Sequence, residues 1–410
     1  MPQCPSHTRQ RGKPLQYILG TEFFGDLEIK CAPGALIPRW ETASTTSHLA
    51  TLLASPLNSP VPSLQPHQPS RLEVLDLCTG TGCITLLISH LLSGHRPVHV
   101  LGLDISPTAI GLAKENLALH PAGPGSRIHF RLADVLAPSP SSTTASSNPA
   151  AALDATPNPA EGSAEASRDD APPSWRSVLR DYEAESENDR VASREVSGPW
   201  RGEWHVLVSN PPYVSPRQYR RTTTRSVRGF EPRSALVPPS RSGQYSLDGT
   251  STSRTGPREG KAGVSDAARV PDGRAQREKA EDEKAAGRAG DEEAEDERTA
   301  DAFYPALLNV AIETGVKVLL VEVGDAAQAS RVVGMVRLTL GEKWRDLRVE
   351  VWRDEPSVHQ DEGVDGSGGE GEELQGMFVR GRGNVRAVFA WDARRFRSDL
   401  DIREASITEP

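Results

Sequence analysis

Residues 72–82 read LEVLDLCTGTG, and this stretch decides the fold. An apolar run ends at Asp76 and Leu77 and passes directly into a turn that contains Gly80 and Gly82. A short apolar run that is bounded by a glycine turn is typical of a buried strand. Two glycines separated by one residue allow a tight turn and let backbone N–H groups approach a ligand. The stretch therefore predicts a strand followed by a ligand-binding turn.

The segments on either side of this turn continue an alternation of strands and helices. Residues 83–92 carry helical apolar spacing, and Ser106-Pro107 is a favourable helix start, with a capping hydroxyl followed by proline. Further helices are predicted over 302–314 and 326–340. Besides 72–77, the predicted strands are 98–103, 127–132, 204–208, 316–323, 346–352 and 385–391. This order predicts an α/β fold with a mostly parallel sheet, covered by helices on both faces, that binds ligands at the carboxyl ends of its strands.

Three segments do not fit the alternation. Only 36% of the 410 residues are hydrophobic, whereas a folded chain is nearer half apolar. We interpret the segments as low-complexity insertions, because they are rich in Ser, Pro, Gly or charged residues and bury too little apolar area to offset the entropy of ordering. They are residues 138–202, 239–300 and 355–375. A helical arm over 274–300 is the alternative for part of the second segment, since Ala, Glu, Lys and Arg favour helices.

The remaining sequence forms one expected domain and a segment that leads into it. The domain comprises 71–137, 203–238 and 301–395, and the leading segment is 1–70. The formal net charge of −9 does not exclude a nucleic-acid partner, because residues 281–300 alone hold nine acidic residues against three basic ones. No apolar run approaches the roughly 18 residues of a membrane span, so we expect no membrane segment. The four cysteines form no CxxC pair, which argues against a metal site and favours a reducing compartment.

The residues after the first two strands suit a particular nucleoside. Asp104 follows the second strand, where a carboxylate can accept hydrogen bonds from two ribose hydroxyls. A dinucleotide would require glycine at Thr85, and Asp76 would repel its pyrophosphate. S-Adenosylmethionine has a ribose, no phosphate and two cationic groups, so it fits better. Asp134 closes the third strand and is either a contact near the adenine or a strand-end turn carboxylate.

The fourth strand runs into Ser209-Asn210-Pro211-Pro212-Tyr213. The prolines make the turn rigid, and the Asn210 side-chain oxygen and the Pro211 carbonyl oxygen can both accept hydrogen bonds. A planar NH₂ group held by these two acceptors would present its nitrogen lone pair to a sulfonium methyl group, with Tyr213 stacked on the planar group. The alternative is a plain proline turn, as at Pro172-Pro173 and Pro238-Pro239, but those two pairs lie in low-complexity sequence.

Together these motifs resemble a known family. DLCTGTG with SNPPY resembles the class I S-adenosylmethionine-dependent methyltransferases that act on planar nitrogen. Further motifs resemble the HemK/PrmC family, which methylates N5 of the glutamine in the GGQ motif of class 1 peptide chain release factors. They are QYILG at 16–20, FFG at 23–25, LIPR at 36–39 and FEP at 230–232, with Ala235-Leu236 after it. The resemblance implies a Rossmann-like sheet of seven strands and conversion of S-adenosylmethionine to S-adenosylhomocysteine, with no metal.

The resemblance also implies roles for individual residues. Besides Asp76, whose carboxylate suits a cationic ligand, the implied cofactor-binding residues are Cys78, Thr79, Gly80, Thr81, Gly82, Asp104, Asp134, Val135 and Asn210. The implied catalytic and substrate-binding residues are Asn210, Pro211, Pro212 and Tyr213, with Arg39, Phe230 and Glu231 on the substrate side. Two positions depart from the family, because Cys78 stands where glycine is frequent and Val135 stands where an aromatic residue is frequent. The family's N-terminal helical domain is expected to be truncated, since only about 13 residues precede Pro14.

Two other functions remain open at this stage. One is an adenine-N6 methyltransferase acting on DNA or RNA, which shares the NPPY motif and would dock through the basic stretch 217–228. The other is a methyltransferase-like binding module that has lost activity. The leading hypothesis expects a release factor as partner, no direct nucleic acid, no membrane and a monomer. It places the protein in the mitochondrion, with the cytoplasm as the alternative.

Overall fold

The computed structural model describes residues 12–55, 71–137, 171–193, 204–239, 290–357, 373–374 and 377–396. Helices α1 (Leu15–Leu19) and α2 (Trp40–Ala54) flank a hairpin of strands β1 (Thr21–Phe24) and β2 (Leu27–Lys30). Further helices are α3 (Cys83–Leu92), α4 (Pro107–Leu119), α5 (Trp175–Ser193), α6 (Pro216–Arg221), α7 (Arg225–Phe230), α8 (Phe303–Thr314) and α9 (Ala326–Leu340). Further strands are β3 (Leu72–Leu77), β4 (Val98–Asp104), β5 (Arg127–Leu132), β6 (Val206–Ser209), β7 (Val318–Glu322), β8 (Leu347–Glu355), β9 (Glu373–Leu374), β10 (Met377–Arg380) and β11 (Arg382–Asp392).

Strands β3 to β11 form one sheet in the order β5-β4-β3-β6-β7-β11-β8-β10-β9. The five strands from β5 to β7 are mutually parallel, and β11 lies antiparallel between β7 and β8. The chain moves outward from β3 to β5 and then returns to the other side of β3 with β6. This reversal opens a crevice at the carboxyl ends of β3 and β6, which is where ligands bind in such sheets.

The sheet is buried on both faces. Every residue of β3 is buried, as expected for a central strand whose neighbours are both parallel. One face packs against buried side chains of α5, α8 and α9, and the other packs against those of α2, α3 and α4. Helix α2 belongs to the N-terminal segment, so that segment contributes to the main core rather than only leading into it.

The structure confirms the seven strands and the mostly parallel sheet that the sequence predicts. Short strands β9 and β10 extend one edge, and β9 lies within the insertion expected at 355–375. Residues 290–300 are helical, which agrees with the helical-arm alternative for that end of the second insertion. The rest of that insertion, from 240 to 289, lies outside the described residues, as do 138–170, 194–203 and 358–372.

Helix α5 differs from the expectation, because it lies within the first presumed insertion. Trp175, Val178, Leu179 and Tyr182 are all buried against the core. Their spacing of three, four and seven residues places them on one face of a helix. The Ser/Pro/Ala-rich sequence before them concealed this short amphipathic pattern. Residues 171–193 are therefore part of the folded domain.

Among the described residues, no helix is both long enough and apolar enough to cross a bilayer.

Candidate active site

The turn after β3 has a backbone that favours glycine at three positions. Gly80 and Gly82 have φ angles of +56° and +78°, and Cys78 has a φ of +62°. A side chain at Gly82 would meet the Phe130 ring at 2.7 Å, whereas nothing lies within 4 Å of the position a Cβ would take at Gly80. Gly82 is thus required by packing, and Gly80 leaves open space in front of the turn. Cys78 occupies a left-handed conformation that costs a non-glycine residue about 1–2 kcal/mol.

Asp104 anchors this turn from the next strand. Its Oδ2 accepts a hydrogen bond from the Gly80 N–H at 2.8 Å, and its Oδ1 accepts one from the Ser106 N–H at 2.9 Å. Burial raises the pKa of the Asp104 carboxyl group, although both N–H donors act to lower it. The carboxylate therefore lies at the cavity with each oxygen oriented by a backbone donor.

Asp76 is fully buried behind the turn and does not line the cavity. The hydroxyls of Thr79 and Thr85 both donate to its Oδ2 at 2.6 Å. Its Oδ1 has no hydrogen-bond partner among the described residues. Burial raises the pKa of Asp76 to about 6. Its direct role is to fasten the turn to α3, which differs from the expected contact with a cationic ligand.

The loop after β5 forms the opposite wall of the cavity. Asp134 and Val135 both line it, with Val135 in the place where an aromatic residue was expected. The Asp134 N–H donates to the Pro173 carbonyl at 2.8 Å, and the Trp175 N–H donates to the Asp134 carbonyl at 3.2 Å. Asp134 Oδ1 accepts from the Leu136 N–H at 2.8 Å, and burial raises the pKa of this carboxyl group. The start of α5 therefore holds the loop in position.

These elements enclose a cavity with an empty volume of about 920 Å³, part of it open to solvent. That volume is at the upper end of the range for small-ligand sites. Of the predicted site residues, those that line it are Arg39, Cys78, Thr79, Gly80, Thr81, Asp104, Asp134, Val135, Asn210 and Pro212. The predicted residues outside its lining are Asp76, Gly82, Pro211, Tyr213, Phe230 and Glu231. Its other lining residues include 34–38, Thr42, Ile84, Ile105, Pro232 and Phe303.

Asn210 follows β6 and reaches the cavity from the strand next to β3. The Ser209 hydroxyl donates to the Leu77 carbonyl at 2.7 Å and joins the ends of the two strands. The Asn210 Nδ2 donates to the Thr42 hydroxyl oxygen at 3.3 Å. Since the NH₂ group points toward Thr42, the Oδ1 atom faces the other way and is available as an acceptor.

Tyr213 packs below this turn rather than into the cavity. A Cβ placed on Gly324 would lie 3.2 Å from its ring, and Gln328 Nε2 donates to the Tyr213 carbonyl at 3.2 Å. Burial and the nearby Glu322 carboxylate raise the pKa of the Tyr213 hydroxyl to about 12, while Arg386 hydrogen-bonds to that hydroxyl. In this arrangement the ring supports the turn, which differs from the expected stacking on a planar substrate.

Arg39, Phe230 and Glu231 connect two walls of the cavity. Glu231 is buried, and both of its carboxylate oxygens accept from Arg39 Nη2, at 2.8 and 2.9 Å. Glu231 Oε2 also accepts from the Ile37 N–H at 3.1 Å. Phe230 packs against a small cluster formed by Tyr17, Cys31 and Ile37. The IPR and FEP motifs thus bind each other, and only Arg39 of these three predicted residues reaches the cavity.

Sequence reasoning missed two residues beside Asn210. Thr42 lies in the first turn of α2, is buried and lines the cavity. Glu322 ends β7 and is buried, and its pKa is raised by burial to about 7. A carboxylate within the apolar run VKVLLVEV was a signal for Glu322, whereas the Thr- and Ser-rich α2 offered none for Thr42.

The donor set of the cavity suits an adenosine compound without phosphate. Asp104 and Asp134 supply carboxylates, and Ile84, Ile105 and Val135 supply apolar surface. Arg39 is the one basic side chain among the lining residues, and Glu231 neutralises it. No cluster of His, Cys, Asp and Glu suited to a metal occurs among the residues that the structure describes.

Comparisons with known proteins support this interpretation. Residues 69–158 match the family described as a methyltransferase domain. The chain is 30% identical over 231 residues to the probable mitochondrial N(5)-glutamine methyltransferase of Schizosaccharomyces pombe, covering 56% of this chain and 53% of that protein. It is 28% identical over 229 residues to the Saccharomyces cerevisiae mitochondrial N(5)-glutamine methyltransferase, covering 56% and 51%. It is 31% identical over 232 residues to the release factor glutamine methyltransferase of Chlorobaculum tepidum, covering 56% and 55%.

The chain thus spans about half the length of the curated relatives it matches. Among solved structures, a human methyltransferase 10 domain containing protein superimposes with a TM-score of 0.36 at 11% identity, covering 95% of this chain and 96% of that one, which is too distant to support an argument. The sequence matches indicate a methyltransferase domain. The sheet order and the glycine turn that Asp104 anchors are consistent with such a domain. Residues 69–158 therefore match a methyltransferase domain, and about half of the chain is similar in sequence to release factor glutamine methyltransferases.

Proposed function

We propose that the protein transfers a methyl group from S-adenosylmethionine to N5 of the glutamine in the GGQ motif of a class 1 peptide chain release factor. The observation that carries this proposal is the Asn210 amide, which lines the cavity and whose Nδ2 donates to Thr42, an arrangement that turns its oxygen away from Thr42. A carboxamide NH₂ group needs an acceptor of this kind. Relatives whose names specify glutamine methylation support the same substrate.

S-Adenosylmethionine supplies an electrophilic methyl group on a positively charged sulfur. In the proposal, the Asp104 carboxylate accepts hydrogen bonds from the ribose, and Asp134 and Val135 lie beside the adenine. The Asn210 Oδ1 accepts a hydrogen bond from the glutamine NH₂ group, which orients its nitrogen toward the methyl group. Pro211, which the sequence predicts as the second acceptor, does not line the cavity. Positioning and exclusion of water then supply the rate, and no strong base is required, because an N-methylated amide cation loses its proton readily.

An exposed basic stretch precedes one wall of the cavity along the chain. Arg220, Arg221, Arg225 and Arg228 lie on or beside the short helices α6 and α7, which lead into the lining residue Pro232. Such a surface also suits RNA or DNA, so an adenine-N6 methyltransferase is the second candidate function. The proposed location is the mitochondrion, since two of the relatives are named as mitochondrial enzymes.

Methyl transfer with labelled S-adenosylmethionine tests both candidates. The purified chain is incubated with a release factor, with the same factor carrying alanine in place of the GGQ glutamine, and with total RNA. We expect label on the first factor only. Asn210→Ala should lower the rate by at least a hundredfold while cofactor binding, measured by calorimetry, changes little, because catalysis here rests on positioning. Label on RNA alone, or an unchanged rate in Asn210→Ala, would refute the proposal.

A further inference from the structure

The orientation of the Asn210 amide is the point on which the proposed reaction depends. An asparagine side chain exposes an oxygen acceptor on one side and an NH₂ donor on the other, and the two have similar shapes. Only the oxygen can accept a hydrogen bond from a glutamine NH₂ group. Asn210 Nδ2 donates to Thr42 Oγ1 at 3.3 Å, so the observed orientation is the productive one.

The Thr42 hydroxyl can fix this orientation only if its own hydrogen points elsewhere. Thr42 also lies beside the carboxyl group of Glu322, and its side chain favours the ionised form by lowering the pKa of that group. An ionised carboxylate has no hydrogen to donate, so the Thr42 O–H must donate to Glu322 and its lone pairs remain for Asn210. The direction of one hydroxyl therefore links Glu322 at the end of β7 to Asn210 at the end of β6.

Glu322 is buried, with 4% of its surface exposed, and it does not line the cavity. Its Oε1 is buried and has no hydrogen-bond partner among the described residues. A buried carboxylate with an unpartnered oxygen costs folding free energy. The charged and titratable groups that interact with it are Arg39 just before α2, Glu41 in the first turn of α2, Cys83 on α3, Tyr213 after β6, Tyr304 on α8 and Arg386 on β11. Of these, Arg386 and Arg39 favour the ionised form.

We propose that Glu322 and Thr42 are positioning residues that hold the Asn210 amide with its oxygen toward the substrate. This inference rests on the proposed function and assigns two residues to it that act through Asn210. Glu322 keeps the Thr42 hydroxyl as an acceptor for Asn210, and neither Glu322 nor its proton takes part in methyl transfer.

The arrangement depends on the charge of Glu322. Burial raises the pKa of Glu322 to about 7, so the carboxyl group gains a proton as the pH falls through neutrality. A protonated carboxyl group can donate to Thr42 Oγ1, which frees the Thr42 hydrogen to point at Asn210. The amide then turns its oxygen toward Thr42 and its NH₂ group toward the cavity. Methyl transfer should therefore decline on the acid side of pH 7.

Steady-state kinetics of Thr42→Val, Thr42→Ser and Glu322→Gln test the proposal. Thr42→Val should lower kcat about tenfold, the effect of losing one hydrogen bond in the transition state, with little change in cofactor Kd. Thr42→Ser keeps the hydroxyl and should restore most of kcat. Thr46→Val, which changes a buried threonine one turn further along α2, is the matched control and should leave kcat unchanged. In Glu322→Gln, kcat should be lower and its decline below pH 7 should be absent.

A second measurement needs no substrate and so separates this inference from the proposed function. In protein labelled with ¹⁵N-asparagine, the Asn210 side-chain NH₂ signals are identified by their loss in Asn210→Asp. Their exchange with water should be slow in the wild type and in Thr42→Ser, and fast in Thr42→Val. Equal exchange in all three proteins overturns the positioning role even if the enzyme methylates its substrate. Slow exchange without methylation of any release factor supports the positioning of Asn210 by Thr42 and refutes the proposed function. An acid-side decline that persists in Glu322→Gln also overturns the inference.

Discussion

Glu322 keeps a carboxyl group buried at a cost in stability. Its carboxyl group is buried at the end of an otherwise apolar strand, and its pKa moves from an ordinary 4.5 to about 7. Between these pH values the folded state binds a proton that the unfolded state has released. Stability therefore falls as the pH rises from 4.5 to 7, and the full cost of burying the charge is present above pH 7.

Glu322→Gln should accordingly stabilise the protein at pH 8. The shift in pKa corresponds to about 3 kcal/mol, which is the upper limit of the expected gain in free energy of unfolding. At pH 4.5 the gain should largely vanish. Urea denaturation at both pH values measures it, with the exposed Glu342→Gln as a control that should change stability by less than about 0.5 kcal/mol at either pH. A loss of stability at pH 8 would contradict the argument.

Cys78 carries a side chain in a backbone conformation that favours glycine. Its φ of +62° favours glycine, yet a thiol stands there and packs against the core. Burial and the Asp104 carboxylate raise the pKa of this thiol well above its usual value, so it remains protonated and a poor nucleophile. The sequence indicated an unusual residue at this position. The structure gives the reason: glycine would adopt this positive φ at a lower energetic cost than cysteine.

At the scale of elements, regular patterns were predictable and local exceptions were not. The seven strands could be predicted because each is a short apolar run bounded by turn residues, as in β3. The α1–β1–β2 region could not, because its helix and strands have only four or five residues each. For α5, the Ser/Pro/Ala-rich composition of the surrounding sequence led to the prediction of an insertion. The four apolar residues on one face of the helix determine how it packs, and they were not recognised.

The packing of α5 gives a direct test. Leu179 is 5% exposed, and replacing it with alanine removes buried methyl groups and leaves a cavity. Leu179→Ala should lower the free energy of unfolding by about 2–4 kcal/mol. Arg180→Ala changes an exposed neighbour on the same helix and should cost less than about 0.5 kcal/mol. Thermal unfolding of both variants measures the difference, and equal melting temperatures would mean that α5 is not part of the folded domain.

The site was less predictable than the fold because its residues come from distant parts of the chain. The glycine turn, Asp104 and Asn210 could be identified, since each directly follows a predicted strand. The pairing of Glu231 with Arg39 spans 192 positions and has no local pattern. The sequence alone therefore identified the residues of the IPR and FEP motifs but assigned Phe230 and Glu231 to the substrate. In the structure Glu231 binds Arg39, and Phe230 packs against a small apolar cluster.

At the scale of the whole molecule, the second predicted insertion divides at residue 290 into two parts that should differ in their contribution to stability. Composition predicts that residues 240–289 contribute little to stability, whereas the helical residues 290–300 dock through specific contacts. Asp296 accepts from the Arg217 N–H at 2.8 Å and from the Ser215 hydroxyl at the start of α6. Ala300 is buried, and its carbonyl accepts from Gln328.

Replacing 240–289 with a short Gly/Ser linker should therefore leave the melting temperature and cofactor binding nearly unchanged, since loop length affects stability only weakly. Replacing 240–300 in the same way removes the contacts of Asp296 and Ala300 and should lower the melting temperature by several degrees. Differential scanning calorimetry of the two shortened chains makes the comparison. A large destabilisation from the first replacement would show that the low-complexity interpretation of 240–289 is wrong.

The cavity wall formed by residues 34–39 and Thr42 has a consequence for how this domain can be subdivided. The match to the methyltransferase-domain family begins at residue 69, after that wall. A polypeptide that begins at residue 69 would retain the glycine turn and Asp104 but would lack Thr42, to which the Asn210 amide donates, and the apolar side chains that α2 adds to the core. The glycine turn with Asp104 and the residue that orients Asn210 therefore come from different parts of the chain, and both parts are needed to complete the cavity.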